Sequence, residues 1–360
     1  MNSVISKKSQ KIKLQIRGKK EEYTVPEHIF INEDNNNDND NDNGYRNNVV
    51  NSTEKYGLYT LPKNIKHFPG AYSVVVLYED KATLNPDSSP KRVVLKIMKS
   101  NSSTYQKIKQ ELEIYNKIRR QQGYSEHICR CYGVNQIKYD DIVHNYLTLE
   151  YMTCDLFDYI FKHKKKYNVH NAYSFIHQTA LAFKFLHKYA ILYNDLKLEN
   201  IMISKVRYNI ETNRKTFKIK LIDFNCSTLM DNRKSAGGTL EYMSPELQES
   251  IQSRNLGKIT TQSDIWGIGL ITCLLFFHSQ PYESSDSKKV IQKIQTNRMN
   301  LRTYCQQYIE YKKNNSYIPE YLDVNKYDFN IILNIIDKCF KTIPQERGTI
   351  DDIINLVNTE

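Results

Sequence analysis

No stretch of this sequence approaches the roughly 18 consecutive apolar residues that mark a membrane-crossing helix. Its best apolar run, IWGIGLITCLLFF (265–277), suits a helix buried in a protein core. Paired cysteine spacing is also missing: there are seven cysteines, an odd number, and no CxxC. Cys129 and Cys131 fall in HICRCYGV, which reads as a strand with both thiols on one face. That pattern argues against a disulfide frame or a zinc site and for buried free thiols in a reducing compartment. Acidic residues are absent from the first twenty positions, which hold seven Lys or Arg. Mitochondrial targeting is one reading of that bias. Against it, Lys dominates over Arg, and KIKLQIR alternates as a strand does. Cytoplasmic or nuclear residence is the expectation, with mitochondrial residence the alternative. No gathering of Lys and Arg on one helix accompanies the net charge of +11, so nucleic-acid binding is not expected.

At 360 residues the chain suits one large two-lobed domain plus a tail. NEDNNNDNDNDNGYRNN (32–48) is of low complexity and has no apolar area to offset the entropy of ordering. Residues 1–54 are therefore read as a basic, Asn/Asp-rich disordered tail and 55–358 as the folded domain. AYSVVVLYED and KRVVLKIM flank a polar, proline-bearing loop and read as a hairpin. STYQKIKQELEIYNKI (103–118) has Ile108, Leu112, Tyr115 and Ile118 at helical spacing. Two more strand candidates follow, ICRCYGV and YLTLEYM, and from 171 onward helices dominate. The expected class is α+β: a small β-rich half with one main helix (about 55–150), then a larger helical half (about 155–358).

Between an apolar helix and a short strand pair lies YNDLKLEN (193–200), two carboxylates, a lysine and two asparagines in eight positions. Further on come KLIDFN (220–225), SAGGTLEYMSPE (235–246) and PQERGT (344–349); earlier stand FPGAYSVV (68–75) and VVLK (93–96). In this order the segments resemble the eukaryotic protein kinase family, serine/threonine type, whose catalytic loop reads HRDLxxxxN and whose metal loop reads DFG. The resemblance covers about 300 residues and implies a bilobal fold that transfers the γ-phosphate of ATP, with Mg²⁺ or Mn²⁺, to protein substrates.

The resemblance also implies roles. Asp195 would orient or accept the proton of the attacking hydroxyl, Lys197 would sit beside the γ-phosphate, and Thr239 would bond both. Asn200 and Asp223 would hold the metal, a hard cation that wants oxygen ligands. Lys96 would grip the α- and β-phosphates, with Glu111 or Glu113 as partner; the family register favours Glu111. Gly70, Ser73, Val75 and Val94 complete the nucleotide set from the first half, and Glu150, Met152 and Met202 from the segments after it. Glu246 with Arg347, and Asp264 with Trp266 and Gly269, would be architectural.

Four departures stand out. Only Gly70 survives of the glycine-rich loop, with Ser73 where its third glycine would fall, and Val94 replaces an alanine that touches adenine. Both changes predict weakened nucleotide affinity. Tyr193 and Asn194 replace His and Arg; Tyr193 suits an apolar spine with Phe224, whereas Asn194 offers no charge to a phosphate on the activation loop, where Ser235 stands. Asn225 replaces the metal-loop glycine, at a position where asparagine tolerates left-handed backbone. No catalytic group is deleted. The expected activity is that of a serine/threonine protein kinase, with substrates bearing basic residues upstream of the acceptor because of Glu199 and Asp155. The alternatives are a pseudokinase acting as a binding scaffold, and a small-molecule kinase, which would not need GTLEYMSPE as a shelf for polypeptide. Oligomeric state is left open.

Overall fold

The computed structural model describes residues 3–5, 9–16, 19–32, 56–61, 67–69, 73–84, 90–98, 105–121, 125–139, 142–165, 167–209, 214–231, 236–282, 284–296 and 329–358, with isolated positions 303, 306, 307 and 310. It divides into two units: Met1–Gly123 with Cys129–Tyr151, and Tyr124–Ile128 with Met152–Glu360.

The first unit is a curled antiparallel sheet with one helix. In chain order its elements are β1 (Ser3–Ile5), β2 (Ser9–Ile16), β3 (Lys19–Pro26), β4 (His28–Asn32), β5 (Tyr56–Thr60), β6 (His67–Pro69), β7 (Ser73–Leu84), β8 (Pro90–Met98), α1 (Tyr105–Arg119), β9 (Cys131–Tyr139) and β10 (Ile142–Glu150). The large sheet runs β1-β4-β5-β7-β8-β10-β9, with β6 also on β7, while β2 and β3 form their own hairpin. Register follows from β-branched alternation. Val74, Val76 and Tyr78 lie opposite Ile97, Leu95 and Val93, so all six share one face. That face is fully buried together with Tyr146. On the other face Val75 lies opposite Lys96, and Leu77 opposite Val94.

The expectation of a disordered tail over 1–54 does not hold for residues 3–5, 9–16 and 19–32, which carry β1 to β4. There β4 pairs with β5 and β1 with β4, which extends the large sheet. Tyr23, Val25 and Ile29, with Tyr59, close over the apolar face of β7 and β8. The Tyr78 hydroxyl donates to the Pro26 carbonyl at 2.7 Å. The basic composition masked a short set of apolar residues whose partner is distant in sequence. The Asn/Asp-rich run from Glu33 onward lies outside the described residues.

The second unit is mainly helical: β11 (Cys154–Asp155), α2 (Val169–Lys188), β12 (Ile191–Leu192), β13 (Ile201–Asn209), β14 (Arg214–Leu221), β15 (Thr228–Leu229), α3 (Pro245–Ser253), α4 (Thr261–Phe277), α5 (Ser287–Thr296), α6 (Phe329–Cys339) and α7 (Ile350–Val357). Asn168 starts α2 through a reciprocal cap with Asn171. Amide side chains on α2 then hold the β13–β14 hairpin: Asn171 donates to the Lys215 carbonyl at 2.8 Å and Gln178 to that of Phe217 at 2.9 Å. Nearly every residue of α4 is buried, as its all-round apolar sequence demands. Among the described residues no helix is long and apolar enough to cross a membrane. The six described cysteines are free thiols. Cys129 and Cys131 are both buried, but β9 begins only at Cys131.

Candidate active site

Two clusters carry the residues singled out above, one in each unit. In the first unit, strand alternation puts Val94 and Lys96 on the same face of β8, across from Val75 and Leu77. Lys96 Nζ donates to Glu111 Oε1 at 2.6 Å, and both side chains are buried. Glu111 is thus the partner that the geometry selects over Glu113. Buried charges of this kind persist only when paired, since an uncompensated one costs several kcal/mol. Ser73 is buried at the start of β7 opposite Met98, and Gly70 lies outside the described residues. Glu150 turns back on its own unit: its carboxylate accepts the Arg130 N–H at 3.2 Å and its own N–H donates to the Arg130 carbonyl at 2.9 Å.

In the second unit Asp195 is the centre of a hydrogen-bonded ring. Its Oδ1 accepts from both the N–H and the hydroxyl of Thr239, each at 2.8 Å. The same hydroxyl accepts from Lys197 Nζ at 2.7 Å, and Lys197 stands 3.4 Å from Asp195 Oδ2. Asn200 Nδ2 donates to the Asp195 carbonyl at 2.8 Å and to Oδ2 at 3.1 Å. With its amide nitrogen so engaged, the Asn200 amide oxygen is the end left to meet a cation. Met202, also singled out above, follows on β13 opposite Lys220, and half-buried Met152 opens the unit.

Asp223 adopts a left-handed backbone, φ 58°. This corrects the expectation for the metal loop, because the unusual conformation falls on Asp223 and not on Asn225. Asn225 instead donates from Nδ2 to Asp223 Oδ2 at 3.2 Å, which orients the carboxylate. Among the described residues no cluster of three or more His, Cys, Asp or Glu is suited to a metal. Two oxygen donors, from Asn200 and Asp223, fit Mg²⁺, which completes its shell with phosphate oxygens and water instead of an all-protein cage. They would fit a soft metal poorly.

The loop is fixed from beneath. Asp264, near the start of α4, accepts the Tyr193 N–H at 3.0 Å and the Asn194 N–H at 2.8 Å, and meets His187 Nε2 at 2.9 Å. Burial, then the carboxylates Asp195 and Asp223, push the Tyr193 hydroxyl well above its ordinary pKa. It therefore stays protonated and donates to the Ile222 carbonyl at 2.5 Å, its ring edge-on to Phe224 at 5.4 Å. Glu246 and Arg347 form a two-pronged pair at 2.6 and 2.8 Å. Ser263 adds a hydrogen bond to the carboxylate, and Trp266 stacks on the guanidinium. Burial alone would raise the Glu246 pKa, but the bonds and charge of Arg347 outweigh it and hold the carboxyl below its usual value. Asp155 caps the Asp158 N–H at 2.7 Å, and burial raises its carboxyl. Glu199 reaches solvent, yet surrounding protein raises its carboxyl too.

Sequence reasoning missed the part played by residues 226–228 and by Gly238. A Cβ on Gly238 would lie 2.8 Å from the Asn194 carbonyl oxygen, and φ there is 154°. The Gly237-Gly238 pair was the signal available. Ser235 lies outside the described residues.

Residues 70–357 match the protein kinase domain family, and the chain belongs to that family. It is similar to a probable serine/threonine-protein kinase of Dictyostelium discoideum, 24% identical over 69% of this chain and 21% of that protein. Serine/threonine-protein kinase 1 of Heliothis zea nuclear polyhedrosis virus is 33% identical over 40% of this chain and 48% of its own length. A probable myosin light chain kinase of Dictyostelium discoideum is 28% identical over 66% of this chain and 69% of its own. The chain thus spans less than half the length of the first two relatives. Kinases of this family as a class use ATP and a divalent metal and act on proteins.

Proposed function

We propose that this protein is an active serine/threonine kinase that transfers the γ-phosphate of ATP to protein hydroxyls. The observation that carries the reading is the ring around Asp195: four donors from Thr239, Asn200 and Lys197 hold one buried carboxylate in a single orientation. Phosphoryl transfer demands little covalent chemistry of the protein, so positioning and charge neutralisation dominate. A serine or threonine hydroxyl of the substrate hydrogen-bonds Asp195, which receives its proton. The hydroxyl oxygen forms a bond to the γ-phosphorus as the bond to the bridging oxygen breaks, and ADP leaves. Lys197 neutralises charge on the phosphoryl oxygens, and Lys96, oriented by Glu111, neutralises the α- and β-phosphates. Asn200 and Asp223 would hold Mg²⁺, which supplies charge stabilisation at the phosphates.

The test is transfer of label from ATP to a generic basic protein by the full chain, with Asp223→Ala as a control. Asp195→Ala should lower the rate by about 10²-fold or more, the scale of a general acid–base contribution. Equal rates for wild type and Asp195→Ala would overturn the reading. ATP binding without transfer would leave a nucleotide-binding scaffold, the alternative suggested by Val94 and the missing loop glycines.

A further inference from the structure

Asn194 is unusual on three counts. It is buried at 6% exposure, it is held at φ 68°, and its side chain leaves the catalytic loop altogether. Asparagine tolerates left-handed backbone, so the side chain can be presented without large strain. Nδ2 donates to the Cys226 carbonyl at 3.1 Å, in the turn after the metal loop, and to Thr228 Oγ1 at 3.3 Å, at the start of β15. One residue earlier the Tyr193 carbonyl accepts from Ser227 Oγ at 3.1 Å, so alternate anchors run along 226–228. The Asn194 carbonyl faces Gly238, one residue before Thr239.

We infer that Asn194 is a positioning residue: a neutral latch that fixes the exit of the metal loop, and with it the Asp223 carboxylate, relative to Asp195. The inference rests on the kinase reading above. Three segments converge on Asn194, and all three carry a residue of the candidate site: Asp195 beside it, Asp223 three residues before Cys226, and Thr239 beside Gly238. Its backbone N–H is in turn tied to Asp264 in α4, so the latch is referenced to the most deeply buried helix of the unit. Amide-to-carbonyl bonds carry no charge, so this anchoring is built into the fold and is independent of any modification of the segment between 229 and 236.

Two substitutions separate side chain from backbone. Asn194→Gly keeps the left-handed φ and removes the latch; Asn194→Asp keeps shape and φ preference but replaces the donor with a carboxylate that repels the Cys226 carbonyl. In the metal-free full chain, amide exchange over 224–229 should quicken in both variants while α2 and α4 stay protected. The free Mg²⁺ giving half-maximal phosphorylation should rise by about tenfold, the lower end of the loss typical when a partner that orients a metal ligand is removed. Thr228→Val should give a smaller rise, and combined with Asn194→Gly it should add little, since both remove the same contact. Unchanged exchange over 224–229 in both variants overturns the latch, as does an unchanged Mg²⁺ requirement with intact activity. Quickened exchange with no phosphorylation even in wild type retains the latch and overturns the kinase reading.

Discussion

At the scale of single residues, this protein separates groups that do chemistry from groups that hold them. Asp195 and Asp223 are oriented by hydrogen bonds from other residues of the site, whereas Glu246 and Arg347 are spent on each other and on neighbouring polar atoms. Because the Glu246 carboxyl is held below its ordinary pKa, its contribution to stability is present above the unfolded-chain value, about 4.3, and is lost as pH falls through the lowered folded value. Glu246→Gln should therefore cost roughly 3–5 kcal/mol near neutral pH, as when one partner of a buried ion pair is removed. The gap between variant and wild type should narrow as pH falls through the lowered folded value, where wild type loses the charge that the variant never carried. Urea midpoints measured across pH check this, and a pH-independent gap would assign the loss to packing alone.

At the scale of elements, the instructive case is the N-terminal strands β1 to β4. Residues 3–32 look like a basic arm in composition, yet Tyr23, Val25 and Ile29 close a core whose other wall is Val74, Val76, Val93, Leu95 and Ile97. Burying a side chain of this kind contributes on the order of 1.5–3 kcal/mol. Cutting the chain at residue 55, the boundary that composition suggests, should expose that wall. Such a protein is expected to aggregate, and Val25→Asp in the full chain should quicken amide exchange in β7 and β8 while leaving α4 protected. A soluble 55–360 fragment with wild-type exchange in β7 and β8 would show that the strands are dispensable.

For the molecule as a whole, charge and function meet at the substrate. With a net charge of +11, attraction of a basic substrate cannot come from the overall field and must come from particular carboxylates. Glu199, in the same loop as Asp195, and Asp155 are the candidates, and desolvation by surrounding protein raises both. A raised carboxyl takes up its proton at a higher pH than usual. Preference for peptides with arginine upstream of the acceptor should then be full well above the raised values and weaken as pH falls through them. The ratio of kcat/KM for arginine-bearing and neutral peptides, followed from neutral pH downward, measures it. Glu199→Gln should flatten the profile; acidic or proline-directed selection would reject the assignment.

What the sequence determined by itself was local and periodic. Alternation in β7 and β8, the helical spacing of Ile108, Leu112, Tyr115 and Ile118 in α1, the all-apolar α4 and the ordered spacing of Asp195, Lys197, Asn200 and Asp223 were legible because each depends on neighbours within a few turns or strands. Three things depended on partners far along the chain. Tyr23, Val25 and Ile29 are buried because an apolar sheet face some fifty residues away receives them, alongside the bond from Tyr78 to Pro26. Left-handed backbone fell on Asn194, whose N–H, like that of Tyr193, is taken by Asp264 about 70 residues away, and on Asp223 instead of Asn225. Asn194 read as a missing charge, and only the tertiary structure turned its side chain into a donor toward Cys226 and Thr228. A hydrogen bond needs a direction and a distance, and residue type alone supplies neither.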